Sequence, residues 1–122
     1  MRTIWTITHD NIANLKFPEG THENANTLYG PRNAVELLQS FLNAKGASEH
    51  PITPENASEA IQNRPEAFRF RMKDDDREVY YYGFMIPGDE VGAELAPLKD
   101  FGELNAGCTS IEIRDNGIWN PV

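Results

Sequence analysis

The clearest pattern in the second half of the chain is the alternation of apolar and polar residues. Phe68, Phe70 and Met72 alternate with basic residues, and a β-branched and aromatic run follows at residues 78–85. Residues 109–114 alternate in the same way and lead into an Asp-Asn-Gly turn sequence. Period-two alternation is typical of strands that bury one face. The pattern therefore predicts two C-terminal antiparallel hairpins.

The first hairpin is predicted to close with a two-residue turn at residues 75–76. This turn would pair Arg71 with Tyr80 and Arg69 with Tyr82 on a polar face, with Met72 opposite residue 79 on an apolar face. A slip by one residue would mix the two faces, so the pattern specifies the register.

The second hairpin allows two different turns. A two-residue turn at Asn116 and Gly117 would place Trp119 on the same face as Glu112 and Arg114. A three-residue loop that closes with Gly117 in the left-handed region would place Trp119 beside Ile113 instead. Burial of an indole is worth more than a surface pairing, so we predict the three-residue loop.

The first half of the chain predicts one strand and two helices. Thr, Ile and Trp crowd together in residues 2–8, which favours a strand. Helical spacing of apolar residues, Pro at the first position and Gly46 after the end predict a helix over residues 31–45. A second helix is predicted over residues 53–63, with Thr53 as its N-cap. Residues 10–15 predict a short helical turn, and residues 16–30 predict a loop.

Together these elements predict a single α+β domain that spans residues 1–122. Its antiparallel sheet has four or five strands, built from the N-terminal strand and the two hairpins, and both helices pack on one face. The predicted core is apolar and aromatic, and consists of Trp5, Ile7, Val35, Leu38, Phe41, Phe70, Met72, Val79, Tyr81, Ile111, Ile113 and Trp119.

Residues 87–107 form a long connection between the hairpins, with four Gly and two Pro among 21 residues. Structureless loops longer than about 12–15 residues are uncommon in compact domains and are often functional. We expect the connection to lie at the periphery, pinned by Leu95, Leu98 and Phe101. Its five acidic residues face one lysine, Lys99, and give a net charge of −4; they are Asp89, Glu90, Glu94, Asp100 and Glu103.

Composition narrows the classes of function. The 122 residues carry 11 basic and 19 acidic side chains, a net charge of −8. A polyanion binder concentrates Lys and Arg, so direct nucleic-acid binding is disfavoured. No apolar run is long enough to cross a bilayer and no apolar leader opens the chain, which indicates a cytoplasmic protein without a membrane span. A single cysteine excludes an internal disulfide.

Candidate chemistry is sparse. Cys108 and three histidines could in principle supply a nucleophile and a base, but no local motif signals activation. The histidines lack metal-ligand spacing, and no phosphate-binding or dinucleotide-binding motif is present. The sequence therefore assigns no catalytic residue, no metal and no cofactor, and it leaves the oligomeric state open.

Two functional hypotheses follow. The first is a small soluble acidic interaction module without catalytic activity, which binds an unidentified protein partner, such as a basic or nucleic-acid-binding protein, through the acidic residues of 87–107. The alternative is a small enzyme or ligand-binding domain whose pocket is formed around Arg69, Arg71, Tyr80 and Tyr82. Those side chains also have the composition of a base-stacking platform, but residues 64–85 carry five basic and five acidic side chains, which argues against that role.

Overall fold

The structure, a computed structural model, describes residues 1–12, 15–16 and 29–122, with residues 15–16 described by their backbone alone. Within this part of the chain one antiparallel sheet contains seven strands. Their bounds are Ile4–Asp10 (β1), Leu15–Lys16 (β2), Tyr29–Gly30 (β3), Phe68–Lys73 (β4), Val79–Ile86 (β5), Ser110–Asp115 (β6) and Ile118–Pro121 (β7). The α+β class is confirmed, but the predicted count of four or five strands was too low because two short strands join the outer edge of β1.

The strand order is β2-β1-β5-β4-β6-β7, and β3 also pairs with β1. The predicted helical turn over residues 10–15 is wrong at both ends, since Asp10 and Leu15 face each other across β1 and β2. The Asp10 carboxylate accepts a hydrogen bond from the Ile12 backbone N–H at 3.0 Å, which stabilises a turn directly after β1. The predicted loop over 16–30 is a strand at each end, and residues 17–28 lie outside the described residues.

Both predicted helices form, and each begins a few residues later than expected. They span Ala34–Ala44 (α1) and Ala57–Gln62 (α2). The Thr53 hydroxyl accepts a hydrogen bond from the Asn56 backbone N–H at 3.3 Å, so Thr53 caps the turn that leads into α2. Gly46 has a φ of 68°, the left-handed conformation predicted for the residue after α1.

The helices cover one face of the sheet at the β1–β5 end. Leu38 and Leu42 of α1 and Ile61 of α2 pack against Ile4 and Ile86 in one buried cluster. Each of these five side chains is at most 5% exposed. The arrangement places both helices on the same side, as the sequence predicts.

The opposite face is covered by residues 87–107, which corrects the expectation of a structureless peripheral loop. The segment contains a 3₁₀ turn (Ala93–Leu95), a π-helical turn (Leu98–Gly102) and a short helix, α3 (Glu103–Ala106). Leu98 and Phe101 are buried against the sheet, with Leu95 packed beside them. The expected anchoring by these three residues is therefore correct, but they anchor a third layer of the fold.

The core prediction was correct for most of the chosen residues, six of them beneath the third layer and one beneath the helices. Seven of the twelve predicted core residues are buried: Trp5, Ile7, Leu38, Phe70, Met72, Tyr81 and Ile111. The other five are only half-buried: Val35, Phe41, Val79, Ile113 and Trp119. The expectation that helices shield the face that contains Phe70 and Met72 was wrong, because that face packs against residues 87–107.

The first hairpin has a three-residue loop instead of the predicted two-residue turn. Arg71 pairs with Tyr82, and the register shifts after Met72. The Asp74 carboxylate accepts hydrogen bonds from two backbone N–H groups of the loop, and Arg77 takes a φ of 67°. The shift leaves Tyr80 in a bulge, where its ring packs against the cluster on the opposite face from Tyr82.

The second hairpin has a two-residue turn at Asn116 and Gly117. Asp115 pairs with Ile118 and Arg114 with Trp119. Asn116 and Gly117 both have positive φ, at 52° and 78°, as a type I′ turn requires. The predicted three-residue loop was wrong because turn chemistry decided the register, and Trp119 packs against the Arg71 guanidinium and the Tyr82 ring on the other face.

Candidate functional site

The five acidic residues proposed for protein binding lie in different surroundings. Asp89 forms an ion pair with the Met1 amino group at 3.0 Å, and its side chain is 89% exposed. The Asp100 carboxylate accepts a hydrogen bond from the indole of Trp5 at 3.0 Å. The other three are exposed or half-exposed and form no ion pair within the described residues; they are Glu90, Glu94 and Glu103.

The four residues proposed for a pocket are not brought together. Arg71 and Tyr82 meet on one face, and Tyr80 lies on the opposite face. The Arg69 guanidinium lies 5.7 Å from the ring centre of Phe84 at the edge of the helix layer. A hydrogen bond from Tyr80 to Asp74, together with the negative charge of Asp74, raises the pKa of the Tyr80 phenol.

Arg71 is covered by a side chain from the last strand. Its guanidinium lies 4.4 Å from the ring centre of Trp119, and its Nε donates to the Glu112 carboxylate at 2.6 Å. The Tyr82 and Trp119 ring centres are 6.1 Å apart. Because β5 and β7 are separated by β4 and β6, both rings lean over the intervening strands and shield the ion pair between Arg71 and Glu112.

Glu112 is held in its charged form by two basic residues. Lys73 Nζ lies 3.1 Å from the carboxylate oxygen that also binds Arg71. Burial alone would raise the pKa of Glu112, but hydrogen bonds from Arg71 and Lys73 and their positive charges outweigh it and lower the pKa. This cluster therefore fastens β4 to β6 and leaves little of Arg71 available to a ligand.

The structure shows a different site, which we call the basic cavity. It has a volume of about 520 Å³ and lies between the β1–β3 edge of the sheet and the segment that contains the π-helical turn and α3. Trp5 and Phe101 form its floor and are at most 8% exposed, and Tyr29 lines its edge from β3 while its side chain packs in the cluster beneath the helices. The Trp5 and Phe101 ring centres are 5.5 Å apart, so the floor is a packed aromatic surface continuous with the core.

Three exposed basic residues line the rim of the basic cavity. Arg2 precedes β1, Arg32 precedes α1, and Lys99 lies in the π-helical turn. None of the three forms an ion pair within the described residues. Asp100 is the one acidic residue of the described lining, and its Oδ2 is bound to the Trp5 indole. The lining therefore carries three positive charges and one negative charge.

The π-helical turn positions two of these charged residues side by side. Leu98 and Phe101 point into the core, and Lys99 and Asp100 between them line the basic cavity. π-Helical turns are rare in proteins, and those that occur often lie at functional sites. The anchoring of Leu98 and Phe101 fixes the turn against the sheet and therefore fixes where Asp100 meets Trp5.

Sequence reasoning found only part of this site. Asp100 and Lys99 lie in the segment singled out as a working surface, but Asp100 was assigned to a different role. Arg2, Tyr29 and Arg32 were missed, because β1 and β3 come together through a pairing that no local pattern predicts. No sequence signal links Arg2 to Arg32.

Other chemistry finds less support in the geometry. Cys108 is 2% exposed, and burial raises the pKa of its thiol to about 11, which disfavours the nucleophilic thiolate at neutral pH. The described part of the chain contains no group of three His, Cys, Asp or Glu side chains arranged to hold a metal ion. Among the described residues, none of the helices combines the length and apolar character that a membrane span requires.

The basic cavity is thus the site with the best-defined combination of concavity, aromatic floor and convergent charge in the residues described. Comparison with known proteins adds no relative: no protein-family model, no curated protein and no solved structure matches this chain.

Proposed function

We propose that this domain binds a small organic anion in the basic cavity. The observation that carries the proposal is the convergence of Arg2, Arg32 and Lys99 on one cavity without carboxylate partners among the described residues. Cations in such an arrangement attract an anion, since a concave site with low-dielectric walls focuses the field of its charges. The net charge of −8 on the chain makes this local concentration of positive charge more distinctive.

The size of the cavity fits this class of ligand. A volume of about 520 Å³ lies within the range of roughly 300–1,000 Å³ that small-molecule sites occupy. The packed floor supplies an apolar base, and the exposed Leu104 side chain adds apolar surface at the rim. A ligand with one or two carboxylates or phosphates on a short carbon skeleton matches this lining.

The expected affinity is modest. Charge-assisted hydrogen bonds contribute roughly 1.5–3 kcal/mol each. Association itself costs several kcal/mol, about 4 or more. Three such contacts at the upper end of that range leave about 5 kcal/mol after this cost, which corresponds to a dissociation constant of about 0.2 mM, and weaker or fewer contacts give a larger one. Exposed charges on the rim are screened by salt, so we expect the affinity to weaken as ionic strength rises.

The test is calorimetric titration of the full chain with inorganic phosphate, succinate and citrate in low-salt buffer free of other polyvalent anions. We expect at least one of these anions to bind. Replacing Arg2 and Arg32 together by Gln should abolish the binding, and replacing the exposed Arg69 and Arg114 by Gln removes the same charge on another surface and should leave it intact. Absence of binding by these three anions and by the related dicarboxylates malate and aspartate, or equal losses in both variants, would overturn the proposal.

A second candidate is the binding of a basic protein partner through the exterior of residues 87–107. Glu90, Glu94 and Glu103 favour it, because these carboxylates are exposed or half-exposed and bind neither a described cation nor the Trp5 indole. Titration with polylysine at low salt tests it. We expect binding that weakens at least severalfold when all three are replaced by Gln, and unchanged binding would refute it.

A further inference from the structure

Asp100 places a negative charge inside a cavity whose other charged residues are basic. Its Oδ2 accepts the Trp5 indole hydrogen at 3.0 Å, and its Oδ1 forms no hydrogen bond within the described residues. A carboxylate offers about four acceptor positions on its two oxygens. Most of the hydrogen-bonding capacity of Asp100 is therefore available to a ligand in the cavity.

The position of this carboxylate is fixed by the core. Trp5 is 3% exposed, and a buried indole N–H needs an acceptor. If Asp100 turned away to avoid an anionic ligand, the indole hydrogen would lose its described acceptor inside the protein. Asp100 is also held from the other side, because its neighbour Phe101 is buried in the core cluster. Asp100 therefore stays in place when a ligand enters.

A fixed carboxylate makes the cavity selective. A ligand that carries only anionic groups is repelled by Asp100 even while the three cations attract it. A ligand that also carries a hydroxyl or ammonium group turns this repulsion into a charge-assisted hydrogen bond. The same residue thus disfavours one class of anion and favours another.

We propose that Asp100 is the specificity-determining residue of the basic cavity and that the ligand is an organic acid bearing a hydrogen-bond donor, either a hydroxy acid or an amino acid. Arg2, Arg32 and Lys99 hold the acidic groups, and Asp100 accepts the hydrogen bond from the donor. This inference rests on the proposed function, since it names the class of anion that the same cavity takes.

The experiment compares three dicarboxylates of equal chain length by calorimetric titration of the full chain. Succinate has no donor, malate has a hydroxyl and aspartate has an ammonium group. We expect malate or aspartate to bind about tenfold or more tightly than succinate, because a hydrogen bond to a charged group is gained where repulsion would otherwise act. Whichever of the two binds more tightly identifies the donor.

The variant Asp100→Asn removes the charge and keeps an oxygen that can accept the Trp5 indole hydrogen. We expect it to bind succinate more tightly than the wild type does and to reduce the preference for the donor-bearing acid to about twofold or less. Glu103→Gln is the matched control, because it removes one negative charge from an exposed position on the same segment outside the cavity lining. It should leave the preference unchanged.

The outcomes separate the inference from the proposed function. If succinate binds as tightly as malate and aspartate, the proposed selection for a ligand with a hydrogen-bond donor is refuted, and the proposed binding of an anion is unaffected. If none of the three binds and phosphate and citrate also fail, the proposed function itself fails. Equal effects of Asp100→Asn and Glu103→Gln would show that net charge sets the affinity, which also overturns the role of Asp100. Near-ultraviolet circular dichroism of each variant checks that the aromatic floor remains packed.

Discussion

Gly30 packs so closely against Trp5 that a side chain at this position would overlap the indole. An ideal Cβ on Gly30 would lie 2.3 Å from Cζ2 and 2.6 Å from Cε2 of Trp5. Gly30 does not have a positive φ, so alanine is acceptable to its backbone. We therefore predict that Gly30→Ala destabilises the protein through this contact alone.

The size of the effect follows from how little the indole can move. Trp5 is 3% exposed, its N–H is bound to Asp100, and its ring packs against Phe101. Extra atoms in a packed core typically cost about 1–3 kcal/mol, and the severe overlap here favours the upper part of that range. For a domain of this size the melting temperature should fall by roughly 4 °C per kcal/mol.

Urea denaturation of a double-mutant cycle measures the contact directly. The variant Trp5→Phe lacks the Cζ2 and Cη2 atoms that a Cβ at Gly30 would meet, so Gly30→Ala should cost less than about 0.5 kcal/mol in that background. Gly107→Ala is the control, because Gly107 has a φ of 66° and nothing within 4 Å of an added Cβ. Its cost of about 1 kcal/mol should be independent of Trp5. An equal cost for Gly30→Ala in both backgrounds would refute the reasoning.

Three further predictions concern the remaining structural features. Trp119→Ala should lower the free energy of unfolding by about 1–3 kcal/mol in urea denaturation, because it removes the ring over Arg71 and the contact with the neighbouring tyrosine ring. Ile118 lies on the same strand and is 63% exposed, so Ile118→Ala should change the free energy of unfolding by less than about 0.5 kcal/mol. The lowered pKa of Glu112 contributes stability above the ordinary carboxyl pKa, and this is lost as pH falls through the lowered folded value. Glu112→Gln should therefore make the melting temperature fall less steeply as the pH is lowered. An unchanged fall would contradict a stabilising role for the ion pairs of Glu112. Burial raises the pKa of Cys108 to about 11, so at pH 8 about one thiol in a thousand is a thiolate. An aromatic disulfide reagent should therefore label Cys108 slowly in the native protein and rapidly in urea. Fast labelling of the native protein would contradict its burial.

Much of the fold was predictable because the alternation of Phe70, Met72 and Ile111 with polar residues describes strands directly. The strand registers of the two hairpins were harder to predict from the sequence. The first hairpin has a three-residue loop and the second a two-residue turn, which is the reverse of the prediction. The sequence-based prediction gave side-chain burial more weight than turn chemistry. Trp119 gains its contacts from the Arg71 side chain and the Tyr82 ring, and this surface forms only once four strands have assembled. A binary pattern of apolar and polar residues does not represent such a surface.

The candidate site was less predictable than the fold. Lys99 and Asp100 lie in a segment whose length and charge single it out, but nothing local indicates that Asp100 is bound to a tryptophan from the first strand. Arg2 and Arg32 lie thirty positions apart in the sequence, and they line the same cavity only because β3 pairs with β1. Their convergence is a property of the assembled tertiary structure.

The pairing of β1 with β5 has a consequence for the order in which the molecule assembles. The two hairpins pair segments that are neighbours in the chain, but Ile4 of β1 pairs with Ile86 at the far end of β5. Closing so long a stretch of chain costs entropy before any contact compensates for it. We therefore expect both hairpins to form early and the arrival of β1 to limit the refolding rate, so that the basic cavity is completed only in the last step.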